Sequence, residues 1–233
     1  GDSFAAGYGL ADVEQRFANR LRQTLGSAWE VHVIAADGMD TGEELLQLRE
    51  AVEQGYELDV LLLAYCLNDI SDIVPDWQKR LERIYAGRER PNLLLRNSFF
   101  IDLLACRLLA ATNPDVQNYY GFVKEAYHGD IWNSQQTRLR LLADFCRGHR
   151  AKLLVATFPF FHKLGPDYEY AKVHRQLDEF WQTLETPHLD MLSIFSNMPS
   201  ATLVANPHDP HPNAKAHAIA AEAIKDFILN LQP

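Results

Sequence analysis

The chain has 233 residues, enough for one large domain or two small ones with a sizeable core. With 23% charged and 47% hydrophobic residues it has the composition of an ordinary globular protein, and its formal net charge of −9 argues against nucleic acid and disfavours an anionic membrane surface as partner. Its three cysteines, Cys66, Cys106 and Cys146, are too few and too scattered for a disulfide framework or a zinc site, and read as buried small apolar residues.

Strand and helix signals alternate along the chain. Gly1-Asp2-Ser3-Phe4 opens it with a serine in a glycine-flanked turn. Val13, Phe17, Leu21 and Leu25 share one helical face, and residues 31–34 (VHVI) read as a strand. Leu45, Leu48 and Val52 mark a second helix, ended by Gly55. The apolar run 59–65 predicts a strand buried on both faces. Residues 72–149 read as mostly helical, interrupted at 87–92 and 112–114, and form a crossover or cap-like insertion. A second buried strand follows over 152–158, stopped by Pro159. Leu177, Phe180 or Trp181, and Leu184 give another helix. Residues 189–194 read as the last strand, and Ala220, Ile224 and Leu231 line the final helix.

This order predicts an α/β protein of three layers, α/β/α, with a central, mostly parallel sheet of about five strands. The whole of 1–233 reads as a single domain. No apolar stretch approaches the roughly 20 residues of a membrane-spanning helix. The chain begins without Met and inside its first motif, so a strand feeding the Ser3 turn is expected upstream, and a signal or anchor could precede it. Both a cytoplasmic and an exported protein remain compatible with that, and the oligomeric state stays open.

In parallel α/β folds ligands sit at the carboxyl ends of the strands. Gly38 follows the 31–34 run, Asn68 the 59–65 run, and Ser3 the expected upstream strand. Near the other terminus Asp209-Pro210-His211-Pro212-Asn213 places a carboxylate and a histidine two residues apart before a helix. A serine hydroxyl is a poor nucleophile alone and needs a base within hydrogen-bond reach and donors aimed at the developing oxyanion.

Four blocks, Gly1-Asp2-Ser3-Phe4, Gly38-Met39-Asp40-Thr41, Leu67-Asn68-Asp69 and Asp209-Pro210-His211, in this order resemble the SGNH (GDSL-type) hydrolase family over nearly the whole chain. The resemblance implies a flavodoxin-like sheet and hydrolysis of a carboxylic ester, from a small molecule, glycan or lipid, without cofactor or metal. It implies Ser3 as nucleophile, His211 as general base and acid, and Asp209 as the carboxylate fixing the histidine tautomer. It also implies Gly38 N–H, the Asn68 side chain and Ser3 N–H as oxyanion donors.

The pattern departs from the family in three ways. Asp209 stands two rather than three residues before His211, where His208 stands instead, so Asp209 could lend His211 only a backbone carbonyl. Cys66 replaces the glycine that often precedes the Asn-Asp pair, and the strand before Ser3 is absent. Alternative readings are O-acyl transfer by the same residues, a non-catalytic binding module, and a thiol- or metal-dependent hydrolase using Cys66 or His208, His211 and His217. Asp2 is read as a brace of the turn, Asp69, Thr41 and Glu44 as structural, and His208 as a residue of the site rim. The aromatics of 118–122, Tyr127, Trp132 and the 158–162 run read as core by default and as pocket lining in the alternative.

Overall fold

The structure, a computed structural model, describes residues 1–86, 97–207 and 209–231. The chain divides into two compact units, one made of Gly1–Asp69 with Gln135–Pro233 and the other of Ile70–Ser134.

The first unit carries the sheet. Strands β1 (Val60–Cys66), β2 (Lys152–Phe158) and β3 (His188–Asp190) are parallel in the order β1-β2-β3. Register pairs Tyr65 with Thr157 and Thr157 with Asp190. The apolar runs form strands because both faces are covered: Tyr65, Leu154 and Val155 are buried, as are Leu177 and Trp181 of a covering helix and Ile224 of another. The helices of this unit are α1 (Ser3–Ala6), α2 (Phe17–Thr24), α3 (Thr41–Glu53), α9 (Ala171–Thr183), α10 (Leu192–Phe195) and α11 (Ala214–Asn230), with a hairpin of β4 (Val204–Asn206) and β5 (Asp209–Pro212) before the last. Helix α8 (Gly129–Gly148) runs from the second unit into the first.

The α/β class holds, with differences in detail. Residues 31–34 form no strand. Gly1 lies between them and β1, with its nitrogen bonded to Ile34 O at 3.0 Å and its Cα against Ala64. Among the described residues no strand pairs with 31–34, so the β-branched propensity of Val31, Val33 and Ile34 is not expressed as a ladder. The main sheet accordingly has three strands among the described residues, not about five. The 189–194 run is a strand only to Asp190, because the Asp190 carboxylate then accepts the Leu192 N–H at 2.9 Å and starts α10. The first helix is shorter than its apolar spacing, since Val13 is exposed in a separate 3-10 turn (Val13–Gln15).

The second unit is helical: α4 (Trp77–Ala86), α5 (Phe99–Thr112), α6 (Pro114–Gln117) and α7 (Tyr119–Ala126). Asn113 caps α6 and Pro114 occupies its first turn, which explains the break at 112–114. The break at 87–92 lies outside the described residues. Asp115 accepts from both Arg80 and Arg83, which hold its carboxyl below the usual carboxylate range, and the Arg80 guanidinium lies 3.6 Å from the Phe122 ring centre. Tyr127 and Trp132 are buried against each other as core.

Candidate active site

Ser3 is the first residue of α1. Its neighbour Asp2 is the cap: Asp2 Oδ1 accepts the Phe4 N–H at 2.9 Å, and Gly7 ends the turn with φ +82°, a left-handed conformation that favours glycine. Phe4 fixes the turn on the sheet by packing on Phe158 and Phe161, both buried. The 158–161 aromatics are therefore support beneath the serine, the core reading rather than the rim reading.

His211 is held from the opposite end of the chain. It lies on β5, and Asn213 locks that hairpin to α11. Asn213 Oδ1 accepts from the Lys215 and Ala216 N–H groups, while its Nδ2 donates to Thr202 O and Val204 O. Pro212 closes β5, so α11 starts at Ala214 behind an asparagine cap rather than at the proline. The His211 ring is flanked by Phe4 at 5.7 Å and by the half-exposed Tyr8 at 4.7 Å.

These elements bring three groups into series. Ser3 Oγ lies 3.1 Å from His211 Nε2, and His211 Nδ1 lies 2.6 Å from Asp209 Oδ1. If Nδ1 carries the hydrogen and donates to the carboxylate, Nε2 is left to accept the serine proton. Asp209 Oδ1 also accepts the His211 backbone N–H at 3.1 Å, so the two-residue spacing closes into a tight loop. It is the Asp209 carboxylate, not its backbone carbonyl, that meets the ring. Ser3 is mostly buried, whereas the Asp209 and His211 side chains are about a quarter exposed, 26% and 23%.

Asn68 sits in the turn after β1. Asp69 shapes that turn by accepting the Cys66 N–H on its carboxylate at 2.8 Å, while its own N–H donates to Cys66 O at 3.0 Å. One hydrogen of the Asn68 amide goes to Asp2 Oδ2 at 3.2 Å, which orients the amide plane and leaves its second N–H for another acceptor. Gly38 has φ +72° and an exposed backbone with open space where a Cβ would stand. Its loop is tied to the Asn68 turn through Thr41 N–H, which donates to Asp69 O at 3.1 Å. Asp40, the cap of α3, accepts from Arg138 at 2.7 Å, and Gln135 donates to Thr41 Oγ1 at 2.7 Å. No hydrogen bond links Gly38 directly to Ser3 or His211 among the described residues.

Two features escape the sequence reading. Asp2 does more than brace the turn: it touches Ser3 Oγ at 3.4 Å and Asn68. Its place just before the serine was the available signal. The second is a buried group of three carboxyls, Asp2, Glu44 and Asp69. Burial raises all three above their ordinary range. For Asp69, well above it, the charges of Glu44 and Asp2 add to burial; for Asp2 the bonds from Phe4 and Asn68 oppose it. Glu44 falls on the buried side of α3, which its helix-start position did not reveal.

Among the described residues no competing thiol or metal set comes together. Cys66 is fully buried and burial raises its thiol, which disfavours a thiolate nucleophile. His217 is buried with its Nδ1 accepting the Phe17 N–H at 3.2 Å and its ring stacked on Phe17. No group of three or more possible metal ligands exists among the described residues. His208 lies outside the described residues, as does the Cys106 side chain. An apolar hollow lined by Trp29, Val60, Leu154 and Ile228 sits at the amino ends of β1 and β2, the opposite edge of the sheet from Asn68.

A parallel α/β sheet with an acid–histidine–serine series at its carboxyl edge is an architecture of serine hydrolases. The model of the GDSL-like lipase/acylhydrolase family matches residues 1–219, and the chain belongs to that family. Hydrolase activity follows at that level. Among solved structures the chain is similar to the crystal structure of TesA, with 14% identity, a TM-score of 0.57 and coverage of 100% of this chain and 97% of that one. It is also similar to the lipase Lip_vut3 from a goat rumen metagenome, with 16% identity, a TM-score of 0.49 and coverage of 97% and 93%. The first likeness shows the fold alone. No curated protein matches the chain.

Proposed function

We propose that the protein hydrolyses a carboxylic ester through an acyl-enzyme on Ser3. The observation that carries this reading is the unbroken series from Asp209 Oδ1 through His211 to Ser3 Oγ, at 2.6 and 3.1 Å. In the first half-reaction Ser3 Oγ attacks the ester carbonyl while its proton moves to His211 Nε2. The tetrahedral oxyanion takes hydrogen bonds from the Ser3 N–H, the Gly38 N–H and the second Asn68 amide hydrogen. The C–O bond to the alcohol then breaks, and His211 delivers the proton to that oxygen. In the second half-reaction water attacks the acyl carbon, His211 takes its proton, and Ser3 leaves with a proton from His211. Asp209 holds the tautomer and stabilises the imidazolium throughout.

Three features support the oxyanion assignment. The Ser3 N–H belongs to the first turn of α1, where no intrahelical acceptor exists. Gly38 presents an unshielded backbone, and Asn68 has one amide hydrogen committed to Asp2 and one left over. We also propose that the whole chain acts as one catalytic domain, with the helical stretch between β1 and β2 as an insertion, a reading supported by the family match running through it.

A fluorophosphonate probe followed by peptide mapping tests the reading. It predicts one adduct on Ser3, absent in Ser3→Ala, and turnover of ester substrates by the unlabelled protein. A folded protein that neither takes the probe nor turns over any ester would sink it. Adding an acceptor alcohol during turnover separates hydrolysis from acyl transfer, since only a transferase passes the acyl group to the alcohol in preference to water.

A further inference from the structure

We propose that the exposed face of α5 seats the protein on a phospholipid surface, with Arg107 taking a lipid phosphate. The inference is independent of the ester-hydrolysis reading. Helix α5 (FFIDLLACRLLAAT) is apolar on nearly every side, yet it leaves much of that surface in water. At 100° per residue Phe100, Leu104, Leu108 and Ala111 fall on one line, flanked by Ile101, Leu103 and Arg107. All seven are exposed, Phe100 by 67% and Leu108 by 64%. The helix's acid, Asp102, lies on the other side and is half-buried. A contiguous exposed apolar stripe of this kind marks a contact surface.

Charge selects the occupant. The stripe carries a cation and no acid. Pairing it with its own copy about a two-fold axis would bury two Arg107 guanidinium groups without a carboxylate from either stripe. A phospholipid surface meets both chemistries: the headgroup–acyl boundary takes the Phe and Leu side chains, and phosphate suits the planar guanidinium. The net charge of −9 is not spread evenly. Residues 70–134 hold eight acidic and eight basic residues, so the whole excess of acid belongs to the remainder of the chain. The composition argument against an anionic surface therefore does not reach this helix. At 14 residues α5 is too short to span a bilayer, and no described helix is long and apolar enough to do so, which fits a helix lying in the interface.

Co-sedimentation with vesicles of phosphatidylcholine, with and without phosphatidylglycerol, tests the proposal on the full chain. The wild type pellets with the vesicles, more with the anionic lipid. Phe100→Ser/Leu104→Gln/Leu108→Ser lowers the vesicle partition coefficient at least tenfold. Arg107→Gln lowers it several-fold and removes the preference for anionic lipid. Circular dichroism checks each fold, and the single Arg107→Gln exchange keeps the test decisive if the triple variant fails to fold. Absence of pelleting, or pelleting indifferent to these substitutions, overturns the proposal. So does concentration-dependent self-association that the apolar substitutions abolish while no vesicle binding is seen, since the stripe would then belong to a second copy.

Discussion

Two acid–histidine–hydroxyl chains run through this molecule. One is Asp209–His211–Ser3, with contacts of 2.6 and 3.1 Å; the other is Asp178–His188–Thr157, with contacts of 2.9 and 2.8 Å. By residue type and distance they are nearly the same object. They differ in where the hydroxyl sits. Thr157 is inside β2, fully buried, with its backbone in the ladder between Tyr65 and Asp190 and its carbonyl accepting Met191 N–H. Its hydroxyl is closed off from solvent, so no substrate reaches it. Ser3 begins a turn, with an N–H outside any ladder and an amide side chain next to it. The relay is thus a common way to satisfy buried polar groups. It becomes a candidate for chemistry only where access and oxyanion donors converge on the hydroxyl.

The sharpest test of that comparison removes each hydroxyl. Ser3→Ala is expected to lower kcat for an ester by about 10⁶-fold, and Thr157→Val to leave kcat unchanged. If Thr157→Val abolishes turnover in a folded protein, the two relays have been assigned the wrong way round. Next in size, Asp209→Asn is expected to cost about 10⁴-fold in kcat by allowing the wrong His211 tautomer. The matching Asp178→Asn leaves kcat intact, as steady-state kinetics on both proteins would show. Asn68→Ala should cost about 10²–10³-fold in kcat with little change in KM, because its amide acts on charge present only in the transition state.

The smallest effects are on stability. Burial lowers the pKa of His188, and that of His217 to about 4. The unfolded chain takes up these protons near pH 6.5, before the folded protein does. The stability these groups contribute is therefore fully present above about pH 6.5 and is lost as pH falls below it, for His217 down to about 4. For His217 the loss is roughly 2 kcal/mol by pH 5. Urea unfolding of wild type and His217→Gln at pH 7 and 5 isolates this term from the buried carboxyls, whose raised pKa values act in the opposite direction. The wild type should lose ground to the variant at the lower pH; a constant difference would mean that His217 titrates alike in both states.

Much of this was legible in residue order. Periodicity located β1, β2, α3, α9 and α11, since a strand covered on both faces and a helix covered on one leave plain apolar patterns. Ser3, Asp209 and His211 were picked out by type and spacing, and Gly38 and Asn68 by the family resemblance; the folded chain brings Ser3, His211 and Asp209 into hydrogen-bond series and joins Asn68 to Asp2, while no hydrogen bond among the described residues ties Gly38 to Ser3 or His211. Residues 31–34 were read as a strand from a local pattern, and they make no ladder among the described residues. The β4–β5 hairpin was missed because Asp209-Pro210-His211-Pro212 carries none of the alternation by which a strand is recognised.

What the sequence by itself determined is the set of local commitments: which segments can bury an apolar face, that Asp2 braces the Ser3 turn, and which residue types could carry acyl chemistry. Only the tertiary structure decided which hydroxyl met which histidine. Ser3 and His211 stand 208 positions apart, Thr157 and His188 stand 31 apart, and nothing in the residue types separates the two pairs. Their different fates come from burial and backbone hydrogen bonding, which arise when distant elements pack and have no counterpart in local spacing.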